Sequence, residues 1–261
     1  MIKIGCAGTS GLGILKGLEQ AHKLGLKGLE VEFTYGVNMN NATAKEAGEL
    51  AKKLDIRLSV HAPYYINLNS EDKKKQEESK KRILESCERA SYLGAKYVVF
   101  HPGFYGKSSP EQTFNVIKEN ILDLKEKIAK NSWNVYLAPE TMGKINVFGS
   151  LDEILRLVKE TKCHFCIDFS HLLARSNGKM TYDEMCKKVS SFPELHSHFS
   201  GIEYGDKGEK NHILTPIKEI EALGTALKKN KIENITIINE SPNPFDDCVK
   251  TLKIFSKLKI L

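Results

Sequence analysis

Short apolar runs alternate with longer amphipathic segments along the whole chain. The apolar runs span five to seven residues and are bounded by glycine, proline or charged residues, a pattern that predicts buried strands. The predicted strands are Ile2–Cys6, Gly28–Phe33, Arg57–His61, Tyr97–His101, Asn134–Glu140, His164–Phe169, Glu194–Phe199 and Asn234–Glu240.

The segments between these strands carry apolar residues at helical spacing. They predict helices over Gly11–Leu24, Ala42–Leu54, Glu71–Leu93, Pro110–Ala129, Ser150–Glu160, Thr181–Val189, Pro216–Lys229 and Pro244–Leu258. Helix-start signals agree with this assignment. Pro110 follows Ser109 at a first helical turn, and Ser150 with Glu153 forms a capping box.

Eight strand–helix units within about 250 residues are typical of a (β/α)₈ TIM barrel, an α/β fold. No linker, low-complexity segment or composition shift divides the chain, so residues 1–261 are expected to form a single domain. The charged run from Glu71 to Arg82 is explained most simply as the solvated face of a helix.

The composition is typical of a globular protein, with 41% hydrophobic and 28% charged residues. No apolar run approaches the roughly 18 residues that span a bilayer, and the first residues read as a strand, so we expect a cytoplasmic protein. The six cysteines are then expected to be buried thiols. The net charge of +6 is compatible with a nucleic-acid partner, but many solvated surfaces carry a similar excess.

Polar residues follow one another at the C-terminal ends of six successive predicted strands. They are His61, His101, Glu140, Asp168, His198 and Glu240, with His171 just beyond Asp168. The gaps between the six are 40, 39, 28, 30 and 42 residues, each about one β/α unit. These side chains should therefore surround one mouth of the barrel, where this fold builds its active sites.

Imidazole together with carboxylate is the ligand set of zinc, manganese or non-haem iron. Crowded carboxylates also need cations between them to stay ionised. Because six ligands exceed what one tetrahedral ion accepts, we expect at least two metal ions.

Other residues are candidates for the surroundings of the same site. His196 lies on the same strand face as His198 but deeper, which favours a supporting or core role. Glu32 shares a face of strand two with Glu30 and either lines the pocket or forms a surface ion pair. The pair Cys163 and Cys166 is not expected to bind metal, because three-residue spacing within a strand points the thiols to opposite faces.

The motifs resemble those of the endonuclease IV (deoxyribonuclease IV) family of apurinic/apyrimidinic endonucleases, within the xylose isomerase-like TIM barrel superfamily. The stretches that carry the resemblance are HAPYYINL (61–68), FHPG (100–103), LAPET (137–141), CIDFSH (166–171), the strand with His198, and IINE (237–240). Each is short, but their order covers the barrel from strand three to strand eight.

The resemblance implies two to three zinc ions, with manganese as another possible metal. His61, His101 and Glu140 would hold the first ion, and Glu140 would bridge to a second that is bound by Asp168, His198 and Glu240. His171 and His212 would hold a third. The family places a carboxylate two residues before this last histidine, where this chain has Lys210; Glu209 or Asp206 is the candidate replacement. The chain also lacks the histidine that the family carries after its first strand.

The resemblance further implies hydrolysis of DNA 5′ to an abasic site, leaving a 3′-hydroxyl and a 5′-deoxyribose phosphate, with Glu140 as the catalytic residue. Double-stranded DNA would be the partner of a monomeric enzyme. Tyr64 and Asn67 are the candidates for contacting the duplex, with loop packing as the alternative role of Tyr64. Lysines, which number 34 against 5 arginines, would contact phosphates.

A single-metal sugar isomerase or epimerase of the same superfamily is the main alternative. Such enzymes share the equivalents of Glu140, Asp168, His171, His198 and Glu240, but need neither His61 nor His101 as a ligand. A DNA-binding barrel that has lost its activity is a third reading, for which Lys210 is the only support.

Overall fold

The computed structural model describes all 261 residues as one barrel of parallel strands surrounded by helices. The strands are β1 (Ile2–Ala7), β2 (Gly28–Glu32), β3 (Arg57–His61), β4 (Tyr97–Phe100), β5 (Tyr136–Pro139), β6 (Cys166–Asp168), β7 (Leu195–His198), β8 (Gly201–Gly205), β9 (Gly208–Ile213) and β10 (Ile235–Asn239). The helices are α1 (Ile14–Lys23), α2 (Asn41–Lys53), α3 (Lys73–Leu93), α4 (Pro110–Lys130), α5 (Leu151–Thr161), α6 (Phe169–Arg175), α7 (Tyr182–Val189), α8 (Ile217–Lys229) and α9 (Pro244–Lys257).

Eight strands form the barrel in the order β5-β4-β3-β2-β1-β10-β7-β6, with every pairing parallel. A parallel bridge between Glu140 and Cys166 joins the two ends of this sheet, so the barrel closes. The predicted TIM barrel is confirmed. The predicted capping box of Ser150 and Glu153 starts α5, and the predicted first-turn Pro110 starts α4, where Ser109 and Gln112 form a second capping box.

The core consists of apolar side chains between the barrel and its helices. Leu18, Ile83, Phe114, Leu157 and Phe255 are buried on the inner faces of five different helices. This packing fixes the strands, and the strand ends in turn position the polar side chains at the mouth. None of the helices combines the length and the apolar composition that a membrane crossing requires.

Helix α6 and the two strands β8 and β9, which lie between the sixth and the last barrel strand along the chain, were not predicted. The apolar pattern predicted that the sixth strand continues to Phe169, but the strand ends at Asp168. Asp168 instead caps α6 by accepting a hydrogen bond from the backbone N–H of His171 at 2.7 Å. After β7 the chain forms the antiparallel hairpin β8–β9, which carries His212.

Candidate metal centre

Glu140 lies at the centre of the barrel mouth and uses its two carboxylate oxygens in different directions. Oε2 lies 3.3 Å from Nε2 of His61 and 3.2 Å from Nε2 of His101. Oε1 lies 3.2 Å from Nδ1 of His198 and 3.1 Å from Nδ1 of His171. The side chain is 1% exposed, so its charge has no access to bulk water. One buried carboxylate therefore contacts two imidazoles through each of its oxygens.

The first cluster consists of His61, His101 and Glu140, whose donor atoms lie within 4.8 Å of one another. His61 ends β3, and His101 directly follows β4, where Pro102 and Gly103 stop the strand. Gly103 has φ of 142°, so the turn after His101 depends on glycine. The strand end therefore brings His101 to the mouth beside His61.

The second cluster consists of Glu140, Asp168, His198 and Glu240, again with donor atoms within 4.8 Å. Register explains the proximity, because Asp168 on β6 is paired with His198 on β7. Nδ1 of His198 lies 3.2 Å from Oε1 of Glu240, which follows β10. Three of the four residues are buried, and the Glu240 side chain is 17% exposed.

The third cluster consists of His171, Glu209 and His212. Glu209 Oε2 lies 3.5 Å from Nε2 of His171, and its Oε1 lies 4.0 Å from Nε2 of His212. The family resemblance aligns Lys210 with the carboxylate of this cluster, but in the structure Glu209 is the carboxylate that faces His171 and His212. Asp206, the other candidate, lies exposed in the turn of the hairpin and belongs to none of the clusters.

A β-bulge explains how Glu209 reaches this position. Across the hairpin Glu203 pairs with Asn211 while Tyr204 pairs with Glu209, which leaves Lys210 as an extra residue in β9. In a regular strand, residues three apart point to opposite faces, but one extra residue restores a common face. Glu209 and His212 therefore face the same cluster, and Lys210 is exposed. A one-residue insertion, rather than loss of the carboxylate, distinguishes this hairpin from the Asp-x-His pattern.

Nδ1 of three histidines contacts a neutral group outside the clusters, and Nδ1 of His171 also lies 3.1 Å from Glu140 and 3.3 Å from Asp168. Nδ1 of His61 lies 2.8 Å from the carbonyl oxygen of Ala62, and Nδ1 of His171 lies 3.0 Å from that of Thr141. Nδ1 of His212 lies 2.8 Å from the hydroxyl of Ser200. A carbonyl can only accept a hydrogen bond, so the proton of His61 and of His171 is placed on Nδ1. Nε2 is therefore the atom through which each of these two rings would bind a cation, in place of the proton that it otherwise carries.

Burial and charge act in opposite directions on these groups. Burial favours the neutral form of His61, but its hydrogen bond to Glu140 and the charge of Glu32 outweigh this effect and raise its pKa to about 10. Burial raises the pKa of Asp168 to about 6, and the charges of Glu240 and Glu140 add to the rise. Bound cations would satisfy both the imidazole lone pairs and the carboxylates.

Glu32 lies inside the pocket and forms no surface ion pair. Its carboxylate groups with those of Glu30 and Glu240, and one of its oxygens is buried without a hydrogen-bond partner. Burial raises the pKa of Glu32 to about 8; the charge of His61 opposes this rise, while those of Glu30 and Glu240 add to it. Of the two alternatives for Glu32, the structure supports the pocket lining.

Glu30 is a buried site residue that the sequence analysis did not select. It is fully buried beneath His198, with Nε2 of that histidine 2.7 Å from its Oε1. His196 also contacts Glu30, which agrees with the supporting role expected for this histidine. The strand periodicity could have identified Glu30, because it places Glu30 on the same barrel-facing side as Glu32. A buried carboxylate at that position needs a buried partner.

The two residues expected to contact DNA have different environments. Tyr64 is 52% exposed, and its ring centroid lies 5.9 Å from that of His61 and 5.7 Å from that of His101, so it borders the mouth. Asn67 instead accepts hydrogen bonds from the backbone N–H groups of Asn69 at 3.1 Å and Phe104 at 3.2 Å. Its carbonyl oxygen therefore connects two loops of the mouth, and its contact with DNA stays a prediction.

The three clusters fit divalent cations by their donor chemistry. Each combines imidazole nitrogen with carboxylate oxygen, the set that zinc, manganese and iron share. By contrast, Cys163 takes part in no cluster, and burial raises the pKa of the Cys166 thiol well above its usual range. The Cys166 thiol lies within 4.8 Å of ring nitrogens of His196 and His198, but Cys163 is not part of that group, so the two thiols do not face one site.

Comparison with protein families matches residues 18–257 to the model described as the xylose isomerase-like TIM barrel. The chain belongs to the xylose isomerase-like TIM barrel family. Among curated relatives, the uncharacterized protein MJ0133 of Methanocaldococcus jannaschii is 37% identical and covers 96% of this chain and 97% of its own length. The probable endonuclease 4 of Mycoplasma mobile is 31% identical over 77% of this chain and 73% of its own length. The expected resemblance to endonuclease IV is confirmed.

Solved structures that match this barrel include an endonuclease and an epimerase. SacUVDE matches with a TM-score of 0.78 at 17% identity, covering all of both chains. Endonuclease IV from Thermus thermophilus matches with a TM-score of 0.72 at 22% identity, covering 98% of each chain. D-psicose 3-epimerase from Clostridium cellulolyticum matches with a TM-score of 0.67 at 15% identity, covering 98% of this chain and 97% of its own. At these identities the matches show the shared fold.

Proposed function

We propose that this protein is a zinc-dependent DNA repair endonuclease that hydrolyses the phosphodiester 5′ to abasic sites. The products would be a 3′-hydroxyl and a 5′-deoxyribose phosphate. The similarity to the probable endonuclease 4 of Mycoplasma mobile supports this class of reaction.

The observation that carries the proposal is the double contact of Glu140. One of its oxygens faces His61 and His101, and the other faces His198 and His171. A carboxylate placed in this way can be shared by two cations held a short distance apart. Two cations at such a distance suit phosphodiester hydrolysis, which must stabilise both the attacking and the leaving oxygen.

Each side chain has a part in this chemistry. When bound, the cations would supply a water nucleophile at neutral pH and would neutralise charge on the phosphate oxygens. Glu140, which belongs to both of the first two clusters, would keep their cations close together. Glu209, His171 and His212 would bind a third cation. Lysines on the surface, which give the chain its net charge of +6, would attract the DNA backbone.

Tyr64 is positioned to contact the lesion, because it is half exposed at the rim beside His61 and His101. Tyr64→Ala is expected to weaken binding to abasic duplex DNA by about 10-fold, since stacking on an aromatic ring contributes roughly 1–3 kcal/mol. Tyr64→Phe should bind nearly normally, because it keeps the ring. Fluorescence anisotropy with a labelled duplex measures both variants, and equal affinity of Tyr64→Ala and the wild type would contradict the assignment.

A nicking assay tests the proposed function. The substrate is a duplex oligonucleotide with one tetrahydrofuran abasic analogue, and the product is resolved by denaturing electrophoresis. We expect one cut 5′ to the analogue, loss of cutting after chelator treatment, and recovery with added zinc or manganese. An undamaged duplex is the control. Absence of cutting by the cation-loaded protein would contradict the proposal.

The second candidate is a single-metal sugar isomerase or epimerase. It is favoured by the second cluster, whose four residues alone can hold one cation, and by the similarity to D-psicose 3-epimerase. In such an enzyme His61 and His101 would not need to contact Glu140. Interconversion of ketose epimers without nicking of abasic DNA would support this candidate instead.

A further inference from the structure

Glu30 forms a buried link beneath the candidate metal centre. It lies on β2, is 0% exposed, and its register partner on β3 is Ser59. The hydroxyl of Ser59 donates a hydrogen bond to Oε2 of Glu30 at 2.6 Å, and Nε2 of His196 lies 2.9 Å from the same oxygen. Ser59 and His196 thus fix the carboxylate from one side.

The other oxygen of Glu30 contacts a residue of the second cluster. Nε2 of His198 lies 2.7 Å from Oε1 of Glu30, although the N–H axis is not aligned with the oxygen, so the contact is mainly electrostatic. No lysine or arginine pairs with Glu30; its ionic partners are His196 and His198 alone. A buried carboxylate is costly unless it is paired, so its charge is compensated by these imidazoles.

The opposite nitrogen of His198 faces the cluster. Nδ1 lies 3.2 Å from Glu140 and 3.2 Å from Glu240. Because carboxylates lie beside both ring nitrogens, a cation at the second cluster would replace only the proton on Nδ1, while the charge of Glu30 favours the proton on Nε2 and makes the imidazole a stronger donor through Nδ1. We propose that Glu30 is the positioning residue that fixes His198 as an Nδ1 ligand and strengthens cation binding at the second cluster.

Of the histidines in the three clusters, Glu30 contacts only His198. Nδ1 of His61 and of His212 contacts a backbone carbonyl and a hydroxyl, and Nδ1 of His171 contacts the Thr141 carbonyl and the carboxylates of Glu140 and Asp168. Loss of the charge at Glu30 should therefore affect one cation and leave the others in place. This inference rests on the proposed multi-cation centre, and its test separates the two.

The test is zinc titration of the purified, metal-stripped protein and of Glu30→Gln in competition with a chromophoric chelator. Gln keeps the size and the acceptor oxygen but removes the charge. We expect the wild type to bind two or three ions, and the variant to bind one of them 10- to 100-fold more weakly, as is typical when a partner of a ligating histidine is lost. Glu119→Gln, at an exposed position of α4, is the matched control and should bind like the wild type.

The outcomes are distinguishable. If the wild type binds no ion or a single ion, the proposed multi-cation function fails. If it binds two or three and Glu30→Gln binds them equally tightly, only the role of Glu30 is overturned. Circular dichroism shows whether the variant is folded.

A measurement on the wild type does not depend on the folding of any variant. Nitrogen-15 NMR of the histidine side chains reports which ring nitrogen carries the proton. We expect His198 to be protonated at Nε2 and to show its zinc-induced shift at Nδ1. A proton retained on Nδ1 in the zinc-loaded protein, or zinc binding through Nε2, would overturn the inference.

Discussion

Glu140→Gln is expected to lower the rate of nicking at an abasic site by about 10³-fold or more. A glutamine has one amide oxygen and one NH₂ group, so it cannot accept hydrogen bonds from both His61 and His198. For the same reason it cannot bind two cations through two oxygens as a carboxylate does. Cation catalysis contributes several kcal/mol to hydrolysis of this kind, and each 1.4 kcal/mol corresponds to about a tenfold change in rate. Single-turnover nicking of a tetrahydrofuran duplex measures the effect.

Glu119→Gln serves as the control here too, because it removes the same charge on the outside of α4. The melting temperature of Glu140→Gln should be compared with that of wild-type protein stripped of metal, so that loss of bound cations is not mistaken for misfolding. A folded Glu140→Gln that nicks at the wild-type rate would exclude the bridging role.

The second large effect is expected at Glu209. Glu209→Gln removes the carboxylate that lies between His171 and His212. It should weaken binding of the third cation by at least about 100-fold, because losing a ligand reduces affinity more than losing a hydrogen-bond partner of a ligand does. Lys210→Ala should leave this cation in place, because Lys210 points to solvent. Zinc titration measures both variants.

Deletion of Lys210 tests the bulge itself. It would shorten the spacing between Glu209 and His212 to two residues, at which a regular strand again places both on one face. We therefore expect the deletion variant to retain the third cation, with a change in affinity of less than about 10-fold. If Glu209→Gln binds as tightly as the wild type, or Lys210→Ala loses the third cation, the assignment of Glu209 is wrong.

The barrel and the ring of strand-end residues could be predicted from the sequence because the two depend on the same periodicity. Each strand of a parallel barrel delivers its last residue to one rim, so the spacing from His61 to Glu240 is enough to place the side chains near each other. Glu32 is the last residue of β2, so its side chain lies in the pocket if that side chain faces the barrel interior. These predictions needed the order of the elements and not the details of packing.

The remaining features depend on local geometry that spacing does not reveal. The bulge at Lys210 adds one residue to β9, so Glu209 points to the same face as His212. The pattern of apolar and polar residues does not indicate this bulge. The start of α6 at Phe169 depends on the hydrogen bond from His171 to Asp168, which overrides an apolar run that resembles a strand. Glu30 was not selected because its role requires the register with Ser59 and the depth of His196.

The number of metal ions per chain tests the central claim most directly. Purified protein, loaded with zinc or manganese and freed of excess by gel filtration, can be analysed by inductively coupled plasma mass spectrometry against the protein concentration. The arrangement of His61, His101 and Glu209 around the second cluster predicts two to three ions per chain. A stoichiometry of one would contradict a shared, multi-cation centre and would favour the epimerase chemistry.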